Sequence, residues 1–516
     1  MRSVGQRLVS KAKVLFAPLS IGIAIAAAGT SASAAAATPD APEARCAAMA
    51  RHDFSDLPDG PAQILSAQPF PAAKGMPAYC DIKGYSWRSI QFRVLIPMSG
   101  WNEKMLVAGT GGQAGSLFLG DPSTYYVGDA LAKGYALVFS DTGHISSGGD
   151  SKWAWNNEAA MIDHAFRASH VAGAVGKAVI AAYSGRKPAK SYFHGCSNGG
   201  REALMMAQRF PWDYDGIIAG APSQAYGRLF MHMAWFNDLL RDQGPNGITP
   251  AIAKTLHAAV LDQCDGLDGN KDGVLDDPRQ CKVDFSRIQC KNGVTEACLT
   301  QHQVGIARKL YEGPRSDDGT QLAMSSIVPG SELNWQRWRL GSTSENPTEL
   351  AARADLIDGY PREVFRYLMT APGRGPSFDP KISEMEQYRK AMGYMDTLLS
   401  AMDPDLRPYR DAGGKLLIYW GWNDSLGGTL QGVDYFEAVQ RVMGGDSATA
   451  PFTRMFMVPG MGHCSGGEGP WKIDYLTALD NWVTRNKEPD ALTGTHPADE
   501  TGPDFTRQIP RYRTSR

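Results

Sequence analysis

The sequence lacks an excess of either charge: 52 basic residues stand against 54 acidic ones, a net charge of −2. Proteins that bind nucleic acid carry a basic patch or stripe, so that class is set aside and a small-molecule partner is expected. Internal repeats are missing, which argues against solenoids and propellers. Low complexity is confined to one alanine-rich N-terminal stretch, and at 43% hydrophobic the chain reads as folded, not disordered. Beyond that stretch no apolar run reaches the ~20 residues that a bilayer-crossing helix needs.

What is present begins with an export signal. Arg2, Arg7, Lys11 and Lys13 precede an apolar run over residues 14–29, followed by "TSASAAAATPD" with small residues at Ala32 and Ala34. This is the pattern of a cleaved signal, and Pro18 and the shortness of the run argue against an anchor. Residues 1–34 are expected to be removed, leaving a soluble protein, secreted or periplasmic, with no membrane attachment. Eight cysteines follow, at 46, 80, 196, 264, 281, 290, 298 and 464. An even count in an exported chain favours full pairing. Many connectivities are open; local spacing favours Cys46 with Cys80, Cys264 with Cys281 and Cys290 with Cys298, which leaves Cys196 and Cys464 for each other.

Short runs such as "FRVLIP", "KMLVAG", "YALVFSD", "KSYFHG", "GIIAGAP", "KLLIYWG" and "RMFMVPG" recur along the chain. Several are continuously apolar, as strands buried on both faces are, and helical patterns over residues 164–185 and 201–210 alternate with them. Alternation of this kind predicts an α/β fold with a mainly parallel sheet. Between residues 223 and 411 the character changes to loops rich in Gly, Asp, Cys and Trp, mixed with helical segments. The economical reading is one catalytic domain made of 35–222 and 412–516, with 223–411 inserted as a lid. The last ten residues, "RQIPRYRTSR", read as a solvated basic tail.

"GCSNG" at 195–199 fits G-x-S-x-G between an apolar strand and a helix-forming run. Small neighbours let the backbone turn sharply and project the Ser197 hydroxyl, while the amide of Asn198 is placed to face a developing oxyanion. The pattern centres on Ser197 and not on the adjacent Cys196. A neutral serine needs a base and an orienting acid, in the chain order Ser, Asp, His. Asp424 in "GWNDS" and His463 in "PGMGHCSGG" each follow a strand; Asp434, Glu437 and Asp446 are rival acids that do not. If Ser197 and His463 meet, their neighbours Cys196 and Cys464 can form a disulfide that fastens the two turns together. Upstream, "VAGTGGQAG" offers Gly112 as the second oxyanion amide.

Residues 264–281 read "CDGLDGNKDGVLDDPRQC". Asp268, Asn270 and Asp272 alternate and are followed by Gly273 and Val274, as in the first part of an EF-hand loop, with Asp265 as a further carboxylate. Position twelve is Arg279 and not glutamate. The loop is expected to hold a structural Ca²⁺ through Asp265, Asp268, Asn270, Asp272 and the Val274 carbonyl.

With these features together, the sequence resembles the tannase and feruloyl esterase family of α/β-hydrolases over roughly residues 46–489. "GCSNGGREALMMAQRFPWDYDGIIAGAP", the acidic loop and "VPGMGHCSGGEGP" carry the likeness. The resemblance implies an α/β-hydrolase fold, a Ser197–Asp424–His463 triad and a Cys196–Cys464 bridge. It further implies oxyanion amides at Gly112 and Asn198, Ca²⁺ in a lid domain, and hydrolysis of esters of hydroxylated aromatic acids such as gallates and ferulates. One branch cleaves the mono-hydroxyethyl ester of terephthalate; that branch has glutamate where this chain has Asn198. Arg337, Arg339 and Arg353, in and beside the stretch 334–350, are candidates to line the acyl pocket. The rival outside enzymology is a catalytically inactive, calcium-stabilised binding protein on the same fold.

Overall fold

Residues 41–514 are described by the computed structural model, except 74, 118–128, 242–245, 292–296, 316–318, 321, 323–326, 336–358, 371, 382–383, 427 and 500–501. The export signal and Arg337, Arg339 and Arg353 therefore lie outside the described residues.

The apolar runs become a sheet. Nine strands, β1 (Ala62–Phe70), β2 (Tyr79–Ser86), β3 (Ile90–Pro97), β4 (Lys104–Ala108), β5 (Ala136–Ser140), β6 (Lys190–Cys196), β7 (Gly216–Gly220), β8 (Lys415–Gly421) and β9 (Thr453–Val458), lie in the order β1-β2-β3-β5-β4-β6-β7-β8-β9. From β5 through β4 to β9 every pairing is parallel, while β1, β2 and β3 join antiparallel at one edge. Every residue of β5, β7 and β9 is buried, which is why those stretches are apolar without alternation. β1 and β2, by contrast, mix exposed and buried positions, and only the parallel part of the sheet stands out as apolar runs.

Helices connect the strands. α1 (Pro42–Ala48) is stapled to β2 through Cys46–Cys80. α2 (Glu158–Ile162) runs through a π-helical turn at Asp163–Arg167 into α3 (Ala168–Ser184), which ends on Gly185 in the left-handed region. α4 (Asn198–Arg209) links β6 to β7. Between β7 and β8 come α5 (Tyr226–Arg241), α6 (Pro250–Cys264), α7 (Gln301–Glu312) and the helices Tyr360–Tyr367, Met385–Leu399 and Arg407–Asp411. α7 begins on a capping box formed by Thr300 and Gln303. The apolar side chains of this long connection gather in two clusters. One lies wholly within residues 236–335; the other is shared with Ala154, Met161 and Ala165 on the far side of the sheet connection.

The C-terminal residues are not a solvated tail. Phe505–Pro510 forms β12, which pairs with β11 (Ala491–His496) and, beyond it, β10 (Lys472–Ile473) in a small antiparallel sheet. Ile509 and Tyr512 are buried. Arg511 pairs with Asp446 at 2.6 Å, and Arg507 bridges Asp272 at 3.2 Å and Asp276. The basic composition is matched by acids that include ones 65 and 235 residues away in the chain, which is why a local reading misplaces it.

Candidate active site

At the end of β6 the chain reverses into α4 within one residue. Ser197 sits at φ 64°, ψ −124°, held by its N–H donating to Gly220 O at 2.9 Å and by its carbonyl accepting the N–H groups of Arg201 and Ser223, each at 3.1 Å. It is the one residue of 191–200 that is not fully buried. A strained turn fixed from both sides leaves Ser197 partly exposed while its neighbours pack.

The turn after β8 carries Asp424, which is fully buried. Its Oδ2 accepts from His463 Nδ1 at 2.7 Å and from Trp420 Nε1 at 3.1 Å; Oδ1 accepts the Leu426 N–H at 2.9 Å. With three donors on it the carboxylate has one orientation, and the hydrogen bond to Nδ1 places a proton there, leaving Nε2 with the lone pair. His463 lies in the turn after β9. Cys464, next to it, is bonded to Cys196, the residue before Ser197, with Cα atoms 6.0 Å apart. The other bonds are Cys46–Cys80, Cys264–Cys281 and Cys290–Cys298, and no described cysteine is free. The rival acids are engaged elsewhere: Asp434 and Glu437 lie on the helix Thr429–Met443, Glu437 accepts from Tyr512 Oη at 2.7 Å, and Asp446 holds Arg511.

The loop after β4 approaches the start of α4. Gly112 has φ 61°, and among the described residues its N–H has no partner, as is also true of the Asn198 N–H in the first turn of a helix. The loop is pinned on either side of Gly112, by Gly109 N–H to His194 O at 2.9 Å, Gln113 N–H to Gly148 O at 2.7 Å and Gly115 N–H to Asp141 O at 3.1 Å. Asn198 Nδ2 donates to Thr110 O at 3.2 Å, so the two loops touch. Behind them stands a wall of neutral rings. His144 stacks on Trp153 with centroids 3.7 Å apart, and Tyr226 donates to Gln113 Oε1 at 2.9 Å. Burial pushes His144 down to about 4 and His164 down as well, which keeps both uncharged at neutral pH.

Sequence reasoning did not find Arg201 and Glu202, both buried beneath this site. A signal exists: "GRE" puts a charged pair directly before the apolar run "ALMMA" of α4.

In the acidic loop, closed by Cys264–Cys281, Asp265 Oδ1 accepts the Gly273 N–H at 3.1 Å and Asp268 Oδ1 the Asn270 N–H at 2.8 Å. The side-chain donors are all hard oxygens, suited to Ca²⁺. Burial raises the carboxyl of Asp276, with Asp268 and Asp272 adding to the rise against the pull of Arg507, so acidic crowding persists beside that cation. As the loop stands, among the described residues no three His, Cys, Asp or Glu side chains are gathered into a metal cage.

The chain is similar to known proteins in sequence and in fold. The family model for tannase and feruloyl esterase matches residues 77–514. The chain is 31% identical over 482 residues to a mono(2-hydroxyethyl) terephthalate hydrolase of Piscinibacter sakaiensis, covering 82% of this chain and 79% of that one. It is 29% identical over 439 residues to a probable feruloyl esterase B-2 of Aspergillus flavus, covering 80% and 78%. The crystal structure of feruloyl esterase B from Aspergillus oryzae superposes with a TM-score of 0.78 at 25% identity, over 91% of this chain and 96% of that one.

Proposed function

The chain belongs to the tannase and feruloyl esterase family and is a carboxylic ester hydrolase for aromatic esters; from that premise we propose an exported serine esterase in which Ser197, His463 and Asp424 hydrolyse esters of hydroxylated aromatic acids. Ser197 Oγ attacks the ester carbonyl as His463 Nε2 takes its proton. The N–H groups of Gly112 and Asn198 receive the charge that develops on the carbonyl oxygen. The tetrahedral species collapses, His463 returns the proton to the leaving alcohol, and the acyl-enzyme remains. Water attacks the acyl carbon as His463 takes its proton, and His463 passes that proton to Ser197 Oγ as the acyl–oxygen bond breaks and the acid leaves. Asp424 keeps the imidazole in one tautomer and balances its charge.

The observation that carries this reading is the His463–Asp424 bond of 2.7 Å on a loop covalently joined to the Ser197 turn. Ser197→Ala should lower kcat on aryl esters by a factor on the order of 10⁶. The assay is kcat/KM over feruloyl, galloyl and benzoyl esters and mono(2-hydroxyethyl) terephthalate, and turnover by the variant at the wild-type rate would reject the serine mechanism. The half-ester belongs in the panel because the Piscinibacter relative is named for it; the highest kcat/KM on that substrate would move the assignment to the terephthalate branch.

The connection between β7 and β8 serves in this reading as the lid. Its acidic loop holds Ca²⁺ through Asp265, Asp268, Asn270, Asp272 and the Val274 carbonyl. The support is a set of hard-oxygen donors on one disulfide-closed loop whose acids crowd one another. The ion would neutralise that crowding and fix the loop. Export rests on the signal pattern and four disulfides; among the described residues no helix is long and apolar enough to cross a membrane.

A further inference from the structure

Beneath the proposed oxyanion hole is a carboxylate for which the reaction as written has no use. Glu202, in the first turns of α4, is 2% exposed. Its Oε1 accepts the Thr110 hydroxyl at 2.9 Å and the Asn198 side-chain amide at 2.8 Å. Its Oε2 accepts the Ser169 hydroxyl at 3.1 Å and the Thr110 backbone N–H at 3.3 Å. An ionised carboxyl is tolerated in an interior only when donors surround it, and this one has four. Burial is the largest influence and leaves its pKa raised, against the opposing pull of the Arg201 charge and the Thr110 and Ser169 donors.

The donors have a particular distribution. Two belong to Thr110, two residues before Gly112 on the loop after β4; a third belongs to Asn198, whose backbone N–H is the other proposed oxyanion donor. One carboxylate therefore spans both halves of the hole. Arg201, fully buried, extends the span: its Nε donates to Asn198 Oδ1 at 2.8 Å. Its Nη atoms reach His164 O at 2.8 Å, Ala165 O at 2.7 Å and Leu399 O at 3.3 Å. Two of those carbonyls lie in the π-helical turn and the third ends the helix Met385–Leu399.

Loop and helix pack backbone against backbone, with the Phe193 ring beside Gly109. A Cβ built on Gly199 would fall 2.8 Å from Gly109 C and 2.9 Å from Thr110 N, so the two backbones rest directly on one another with no side chain between them as a spacer.

We propose that Glu202 is a positioning residue that sets the separation and aim of the two oxyanion amides by holding Thr110 and Asn198 on one carboxylate. This rests on the reading of Gly112 and Asn198 as the oxyanion hole. Such a hole acts on charge that exists only in the transition state, so misaligning it lowers kcat and spares ground-state binding.

The test compares Glu202→Gln, Thr110→Val and Thr110→Ser with wild type by steady-state kinetics on a benzoyl ester. Two inhibition constants accompany it: benzeneboronic acid, which forms a tetrahedral anion on a reactive serine, and benzoate, which does not. Expected for Glu202→Gln is a kcat lower by about 10- to 100-fold, boronate affinity lower by a similar factor, and KM and benzoate binding within about twofold. Thr110→Val should move in the same direction, and Thr110→Ser, which keeps the hydroxyl, should recover most of the loss. Folded variants with kcat and boronate affinity within about twofold of wild type would overturn the proposal, as would equal losses for boronate and benzoate. Should Glu202→Gln fail to fold, the two Thr110 variants decide by the same criteria. Ser197→Ala separates the two readings. If it turns over normally, the serine mechanism and this inference fall together; if it is inactive while Glu202→Gln is unaffected, only the positioning role falls.

Discussion

Gly199 shows how little room the site leaves at single residues. It lies in α4, where any residue could take its backbone angles, yet a methyl there would press on Gly109 and Thr110. Gly199→Ala should therefore cost about 1–3 kcal/mol by overpacking and displace the loop that carries Gly112. The expected outcome is a lower urea midpoint together with a drop in kcat of at least about tenfold, the scale of a misplaced oxyanion donor. A variant with wild-type midpoint and kcat would mean that the loop yields freely. At this scale the Ser197 turn was legible because its pattern is local: two glycines around the serine, a strand before and a helix after. Glu202 was not, since a glutamate in a helix-forming run usually faces water, and only the arrival of Thr110, 92 residues upstream, encloses it.

Among the elements, the turn at Glu332–Asn334 braces the loops that carry Asp424 and Glu468 against the insertion. Asn423, beside Asp424, donates to Gly330 O at 2.8 Å and to Glu468 Oε2 at 3.1 Å, and Ser425 donates to Asn334 O at 2.9 Å. Glu332 anchors the turn by accepting from His257 Nδ1 on α6 at 2.8 Å and from Tyr311 Oη on α7 at 2.6 Å. Burial alone would lower the pKa of His257, but the bond and charge of Glu332, with Glu468 and Asp265 behind it, raise it. A histidine raised on folding lends stability that is fully present below its unfolded value of about 6.5 and is lost as pH rises through the folded value. Urea midpoints should therefore fall from pH 6 to pH 9, and less steeply in His257→Gln. Glu468, whose carboxyl burial raises against the pull of His257, tilts the curve the same way, so the difference between slopes reports His257 together with its coupling to Glu332 and Glu468; equal slopes would remove the histidine from the account. Strands β3 to β9 could be read from apolar runs. β1 and β2 mix polar and apolar positions near the sheet edge, and β12 is disguised by Arg507, whose acids are distant in sequence.

For the molecule as a whole, the sequence placed a long insertion between two sheet strands, and helices and loops occupy that place between β7 and β8. It could not reveal that Arg507 on β12 reaches the acidic loop, because nothing local to "FTRQIP" hints at Asp272 or Asp276. If the loop holds Ca²⁺, chelation should lower the thermal midpoint. Domains of 150–250 residues shift by about 2–4 °C per kcal/mol, so a larger chain should shift by a few degrees at most per kcal/mol of lost binding energy. Added Ca²⁺ should restore the midpoint and Mg²⁺ should not. Identical scans with and without chelator would count against the ion. The Cys196–Cys464 bond, at a sequence separation of 268, closes a covalent ring that includes the entire insertion. A protease that nicks the insertion would therefore leave serine, aspartate and histidine fragments tethered in one particle, separable only after a reductant opens the ring.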